Sequence, residues 1–351
     1  MPAPKVTFLV PCFNYGRFLK DSVGSILGQT FTDFEILILD DHSNDETEQI
    51  ARGYTDPRIK YFRHEVNLGY VKNMNFGILR CRGEFIWSIS ADDSLNDPGC
   101  VARAINIFDR HPSIGFILSP VDELGGNNGR LAHGDFGAQD ICFGRCELSR
   151  KLTGNNLING PGVVAKRMLY EKMGPIPEDL FFVTDWYQWF NFSLDSEAYY
   201  TSRPLAKYRV HGASLTATLP GEAKLIEILA LMLWMLGKCP DDHYIQKEAA
   251  RHVAAYLRPL FQSWLWKNLE VKDAYKVFAG IREKVSGLER RPFRHRIALE
   301  SGLQMVALQY FRELCMRGKF SSAVRSLRLY FELKASLRGS LKPLRRSLVL
   351  H

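Results

Sequence analysis

Two apolar segments of this chain, Phe34-Glu35-Ile36-Leu37-Ile38-Leu39 and Glu84-Phe85-Ile86-Trp87-Ser88-Ile89, each lead into a pair of adjacent acids. The first runs directly into Asp40-Asp41, and the second reaches Asp92-Asp93 two residues further on. A near-continuous apolar run marks a strand buried on both faces. Such strands deliver their last residues to the carboxyl edge of the sheet, where α/β proteins bind ligands. Four carboxylates gathered there repel one another unless something positive or rich in hydroxyls lies among them. A divalent cation on a diphosphate, with a ribose beside it, meets that need. The pattern points to an enzyme of activated phosphate esters.

The segments between these strands fit that reading. Val6 to Val10 is a first buried strand, and Asn14-Tyr15-Gly16 gives a turn. Phe18-Leu19 through Ile26-Leu27 recur at helical spacing. Ser43 with Glu46 three residues on predicts a capping box for a helix to about Arg52. Arg58 to Phe62 predicts a short third strand, Asn67-Leu68-Gly69 opens a helix to about Leu79, and Gly83 starts the fourth strand. This alternation predicts an α/β fold with a mostly parallel, mixed sheet flanked by helices. Neither G-x-G-x-x-G nor G-x-x-x-x-G-K-[ST] follows the first strand, which removes the central evidence for dehydrogenase and P-loop readings. Residues 125–162, rich in Gly and Asn, read as loops that shape a pocket. A short amphipathic stretch at Trp186 to Leu194 follows Asp185, and Arg203 to Val210 reads as a late strand. After about Pro220 the pattern turns helical, at Leu225–Leu236, Glu248–Trp266, Asp273–Lys284 and Ile297–Met316. The chain thus divides into residues 1–220 and a helical extension, 221–351.

The 351 residues, 46% hydrophobic, include no uninterrupted apolar run of about 18, which argues against a transmembrane span. The N-terminus passes straight into a strand without the pattern of a signal peptide. Seven scattered cysteines suit a reducing cytosol. Cys142 and Cys146 have only His133 nearby, too few ligands for zinc. The net charge of +8 is carried wholly by residues 317–351, where nine Lys and Arg face Glu332 alone, so residues 1–316 sum to zero. Val324, Leu327, Phe331, Leu337, Leu341, Leu344 and Leu348 recur among these cations at roughly helical spacing. That tail reads either as a basic amphipathic segment on an anionic membrane or as an ordinary solvated helix or disordered end. No recognition motif accompanies the charge, which argues against nucleic acid as partner.

Several segments stand together in order: Pro11-Cys12-Phe13-Asn14, Ser25 to Phe31, Phe34 to Asp41, Ser43 to Thr47, Asn67-Leu68-Gly69, Asn75-Phe76-Gly77-Ile78, Gly83 to Ile86, Asp92-Asp93, Thr184 to Trp189, and Tyr208 to Leu215. Across residues 4–218 they resemble the family 2 glycosyltransferases, inverting enzymes of GT-A fold that use nucleotide-sugars. The N-terminal stretch resembles the SpsA-like members. The resemblance implies that Pro11 and Phe13 line the base pocket and that Asp41 accepts a hydrogen bond from the pyrimidine. It places Asn14 and Asn75 with the nucleotide. Asp92 and Asp93 match the acidic metal motif and would hold Mn2+ or Mg2+ and the ribose. Asp185 matches the catalytic base, a carboxylate that takes the acceptor proton as the hydroxyl attacks the anomeric carbon. Arg209 and His211 would lie at the diphosphate, with His211 also available to the metal.

Two positions depart from the family pattern. Many members carry an acid where this chain has Ser90, and the residue before the base is usually Glu where this chain has Thr184. Each assignment also has a structural alternative. Asp40-Asp41 suit the cap of the following helix, Asp92-Asp93 a solvated turn, and Asp185 an N-cap; His211 suits a satisfied structural histidine. Trp186 and Trp189 suit the core better than a sugar platform. The expectation is a cytoplasmic, metal-dependent inverting glycosyltransferase, peripheral to the inner face of the plasma membrane if the tail binds lipid. Its donor would be a UDP- or dTDP-sugar and its acceptor a glycan or lipid-linked glycan of a surface polysaccharide such as lipopolysaccharide. The alternatives are a catalytically silent nucleotide-sugar-binding scaffold and, less well supported, a sugar nucleotidyltransferase.

Overall fold

The structure, a computed structural model, describes residues 2–124, 131, 135–211 and 221–266. The chain divides into two compact units, the first ending at Leu219. Within the first, β1 (Val6–Cys12) and β2 (Phe34–Asp40) are buried at every residue, as their unbroken apolar runs require. They pair in parallel from Val6–Phe34 to Cys12–Asp40, so the acids after β2 emerge beside the end of β1. β3 (Ile59–Arg63) adds in parallel to β2, and β4 (Phe85–Ser88) in parallel to the other side of β1. β9 (Val163–Lys166) runs antiparallel to both β4 and β6 (Ile114–Leu118). β10 (Glu197–Tyr200) is parallel to β6, and β8 (Ile141–Phe143) closes the edge antiparallel to β10. The sheet order is β3-β2-β1-β4-β9-β6-β10-β8, with six of eight strands pointing one way. This is the mostly parallel, mixed sheet that the sequence predicts.

Helices flank the sheet. α1 (Gly16–Leu27) buries Leu19, Val23 and Ile26, one apolar stripe at helical spacing. α2 (Thr47–Arg52), α3 (Tyr70–Ile78), α4 (Cys100–Arg110), α5 (Glu147–Leu152), α6 (Arg167–Met173) and α7 (Thr184–Asp195) follow in chain order. Of these, α1, α2, α3 and α7 stand at predicted places, and α4, α5 and α6 are beyond them. Phe8 sits in the core 5.6 Å from both Phe34 and Trp87. A second sheet, β5 (Ser94–Leu95), β11 (Ala206–Arg209) and β7 (Val121–Leu124), pairs the residues just after Asp92-Asp93 with the late strand.

Two expectations need correction. The capping box does not form: the Ser43 hydroxyl accepts from the Asn14 amide, and Asp45 Oδ1 accepts from the Thr47 amide at 3.0 Å instead. Asp45 is two residues before Thr47, so its carboxylate reaches the first free N–H of a helix that starts later than Ser43 implied. The stretch 125–162 is not all loop, because it contains β8 and α5.

In the second unit, α8 (Gly221–Lys238) and α9 (His243–Trp266) contain the predicted helices at 225–236 and 248–266. The Gln246 amide donates to the Leu236 and Cys239 carbonyls, which fastens the connection between them. The predicted helices at 273–284 and 297–316, and the basic tail, lie outside the described residues. Among the described residues no helix is long and apolar enough to cross a membrane, and the six cysteines are free thiols.

One buried charge ties the first three strands and the approach to β4 together. Glu35, 2% exposed, accepts from the Thr7 hydroxyl at 2.9 Å, Lys60 Nζ at 2.9 Å, and the Arg82 amide and guanidinium at 2.8–3.0 Å. Burial raises its pKa, but these hydrogen bonds outweigh burial and hold the carboxyl below the usual glutamate range. Because the folded pKa is depressed, this stabilisation is present above the unfolded value and is lost as pH falls through the folded one. Glu35→Gln should therefore lower stability by about 1–3 kcal/mol at pH 7. Urea unfolding should show that difference shrinking below about pH 4.

Candidate active site

The second sheet assembles the acidic site. β5 follows Asp93 directly and pairs antiparallel with β11 through Leu95–Ala206 and Ser94–Lys207. That register carries the residues after Lys207 back alongside the acid pair. The Arg209 amide donates to Asp93 Oδ1 at 3.0 Å, and its Nε to the Asp92 carbonyl at 2.9 Å. His211 Nε2 lies 2.9 Å from Asp92 Oδ2. The Arg209 guanidinium stacks 4.4 Å over the Phe18 ring and reaches Asp21 at 3.5 Å. The His211 ring is enclosed by Tyr15 and Phe18, each 5.6 Å away. Its buried Nδ1 has no partner among the described residues.

Asp92 and Asp93 are 9% and 3% exposed. Burial and the neighbouring Asp92 push the Asp93 carboxyl well above the usual range, partly offset by Arg209. An acid pair held this way accepts a cation readily, and His211 supplies a nitrogen donor in contact with Asp92. Among the described residues no three such side chains converge as a complete ligand set. Mg2+-type sites are commonly completed by substrate phosphates and water around one or two carboxylates, and the donors present fit that pattern.

The other predicted residues are distributed around this cluster. Pro11 and Phe13 lie at the carboxyl end of β1, with Pro11 buried and Phe13 42% exposed. The Pro11 carbonyl accepts from the Ala91 amide at 3.1 Å, next to the acid pair. Asn14 adopts a left-handed φ of 56°, which asparagine tolerates, and its side-chain oxygen accepts from the Asn44 amide. Asp41, 3% exposed, is held beside β1 by its amide donating to the Cys12 carbonyl at 2.9 Å. Its two oxygens accept from the amides of Leu68 at 2.7 Å and Gly69 at 2.8 Å. Gly69, at φ 84°, makes the turn into α3. Asp40 is buried beneath, accepting from the Ser43 amide and the Tyr61 hydroxyl. Asn75 is engaged elsewhere, with its amide donating to the Ile176 carbonyl at 2.8 Å and accepting from the Ile176 amide at 2.9 Å.

Asp185 lies in the first turn of α7 and makes no side-chain cap. Burial alone pushes its carboxyl up to about 6. It faces Gly160 in a 3-10 turn, Gly160–Gly162, and its charge is felt by Tyr70 and by Asp93. Thr184 is buried beside it, Trp186 donates its indole N–H to the Leu152 carbonyl, and Trp189 is buried. Asn159-Gly160 reads from the sequence as a turn former that could face the acceptor, and the structure sets Gly160 against Asp185. Sequence reasoning did not assign Tyr70, Tyr15 or Phe18 to the site: Tyr70 lies directly after the Asn67-Leu68-Gly69 segment, while Tyr15 and Phe18 read only as parts of a turn and a helical stripe.

Buried acids paired with an arginine and a histidine at the carboxyl edge of the sheet, with a separate carboxylate of raised pKa, suit a transferase of phosphate-activated groups. The Glycosyl transferase family 2 model matches residues 7–193, and the chain belongs to that family. It is 30% identical over 252 residues to a glycosyltransferase of Rickettsia typhi, covering 71% of this chain and 77% of that one. Over 95 residues it is 37% identical to the GalNAc(5)-diNAcBac-PP-undecaprenol beta-1,3-glucosyltransferase of Campylobacter jejuni, covering 26% and 31%. Among solved structures, S. aureus TarS 1-349 in complex with UDP-GlcNAc superposes with TM-score 0.63 at 16% identity, covering 93% of this chain and 92% of that 1-349 chain. The mannosyltransferase PcManGT from Pyrobaculum calidifontis, in complex with GDP-Man and Mn2+, gives TM-score 0.51 at 16% identity, covering 94% and 87%. These likenesses show the GT-A fold.

The raised value of Asp185 makes it a group whose charge costs stability. Its folded pKa lies above the unfolded one, so stability falls as pH rises from about 4 through about 6. Asp185→Asn should be more stable than wild type above pH 6, by on the order of 1 kcal/mol after solvent screening. Thermal unfolding at pH 4 and pH 7 should show that advantage at pH 7 only.

Proposed function

We propose that this chain transfers a sugar with inversion from a nucleoside-diphosphate sugar to an acceptor hydroxyl, with Asp185 as the base and the Asp92-Asp93-Arg209-His211 cluster holding the diphosphate. The observation that carries the reading is the separation of two kinds of carboxylate. One pair is bonded to cationic or imidazole groups, and one lone acid has neither an ion pair nor a hydrogen-bond donor among the described residues and is pushed up to about 6. A base is most useful with a pKa near the working pH, and Asp185 has such a value.

Arg209 and His211 supply the positive and hydrogen-bonding groups a diphosphate needs, and Phe18 and Asp21 hold the guanidinium in place. Pro11 and Phe13 offer an apolar wall for the base at the end of β1. Asp41 fixes the 68–69 turn that closes this side, and its remaining lone pairs would accept from a pyrimidine N–H. Asn14 joins the loops after β1 and β2, and Asn75 fixes the segment at Ile176. A divalent cation bound by Asp92 and His211, with Asp93 beside them, would neutralise the diphosphate as it departs. Asp185 removes the acceptor proton from the opposite side while the cluster holds the donor, so most of the catalysis is positioning. The UDP-GlcNAc in TarS favours a UDP-sugar donor, and the undecaprenol-linked acceptor in the name of the Campylobacter relative favours a lipid-linked glycan. A role in building a surface polysaccharide at the cytoplasmic side of the membrane follows from such an acceptor.

Calorimetric titration of UDP with MnCl2 should show binding that weakens at least tenfold without the metal and is lost in Asp92→Ala and His211→Ala. Asp185→Asn should bind UDP as wild type does and lose about 10²–10⁴-fold in turnover once a donor is found. Turnover in wild type should fall as pH drops through about 6, where Asp185 takes up a proton. Binding with equal turnover in wild type and Asp185→Asn would contradict the assignment of the base.

A further inference from the structure

We propose that Gly160 is a positioning residue for Asp185: the side chain it lacks is the space the Asp185 carboxylate occupies. The inference rests on Asp185 being the base. A Cβ at residue 160 would stand 2.8 Å from Asp185 Oδ2, 3.6 Å from its Cγ and 3.9 Å from Oδ1. Those three atoms are all that such a Cβ would meet most closely, so the glycine answers to this one side chain. Its backbone does not demand glycine, since its φ lies outside the left-handed region that L residues avoid.

The neighbouring Gly162 shows the contrast. A Cβ there would lie 2.5 Å from the Ser119 carbonyl oxygen, so that glycine serves the packing of backbone on backbone. The turn between them cannot drift away from Asp185. The Trp87 indole donates to the Pro161 carbonyl at 2.9 Å, and the Ser119 amide donates to the Gly162 carbonyl at 2.9 Å. The turn is thus bolted to β4 and to the end of β6 while its first residue touches the base. On the other side, the first turn of α7 is fixed by the Trp186 indole bonded to the Leu152 carbonyl. Between two fixed backbones the Asp185 side chain is the movable part. A methyl at residue 160 would rotate the carboxylate away rather than break the fold. The groups whose charge senses that rotation are Asp93, Tyr70 and Tyr170.

The test is Gly160→Ala in the full chain, followed by carbon NMR of protein labelled at aspartate Cγ, with the Asp185 signal identified by its loss in Asp185→Asn. The proposal expects the Asp185 titration midpoint to move by about half a pH unit or more in Gly160→Ala. The far-ultraviolet circular dichroism should stay unchanged. A second measurement covers loss of stability: Gly160→Ala should lower the unfolding midpoint in wild type and leave Asp185→Ala unaffected, because the contact is then gone. An unmoved Asp185 midpoint, or an equal loss of stability in the Asp185→Ala background, would overturn the proposal. Titration with UDP and MnCl2 on the same samples keeps the two readings apart. Wild-type protein that fails to bind UDP counts against the donor site, whereas the Gly160–Asp185 contact is decided by the NMR midpoint and the double variant alone.

Discussion

Two adjacent carboxylates, almost shut off from water, are the constraint around which this molecule is arranged. At such a place each charge raises the cost of the other, and Asp93 is driven toward its protonated form. The fold compensates from one direction. A two-residue strand immediately after the acids pairs with β11, and that pairing returns an amide, a guanidinium and an imidazole to the same spot. Without β11 the acids would have no counter-groups on that side, and the buried His211 Nδ1 would have no reason to be there.

The main sheet provides the rigid half of the site. β1, β2 and β4 bring Pro11, Asp41 and the acid pair to one edge in fixed register, anchored at the opposite end by Glu35 and its cationic partners. The proposed base comes from a different part of the chain. α7 and the 160–162 turn place Asp185 where, among the described residues, no cation or donor relieves its burial, and burial raises its pKa. Acids with hydrogen-bonded partners thus lie within electrostatic reach of an acid that has none among the described residues, a division suited to holding a leaving group and taking a proton.

The sequence made the first half of this legible and the second half less so. Unbroken apolar runs ending in acids gave β1, β2 and β4 and the edge to which they point, because burial on both faces leaves a continuous signature. Cys100–Arg110 carries a clear helical stripe in Val101, Ala104, Ile105 and Phe108 that went unread, as did the short strands β6, β7, β9 and β10. Short apolar runs such as those of β6 and β9 do not distinguish a strand from a buried helix segment, and β7 and β10 carry acids that break the apolar pattern. Antiparallel insertion of β9 between two parallel strands is a tertiary outcome with no local mark. Ser43 misled because a serine before Glu46 satisfies the capping pattern, whereas Asn14, 29 residues earlier, had already taken its hydroxyl. Asn75 lay in a family motif, yet its amide pairs with Ile176, 101 residues later. Asn159-Gly160 reads from the sequence as a turn former that could face the acceptor, but nothing local shows that Asp185, 25 residues later, lies against it.

The most direct test of the account is the anomalous scattering of manganese in crystals grown with UDP and MnCl2. The account predicts one peak at the Asp92 carboxylate and the His211 imidazole, with Asp185 untouched by metal. UDP bound elsewhere, or manganese bound away from Asp92 and His211, would contradict it.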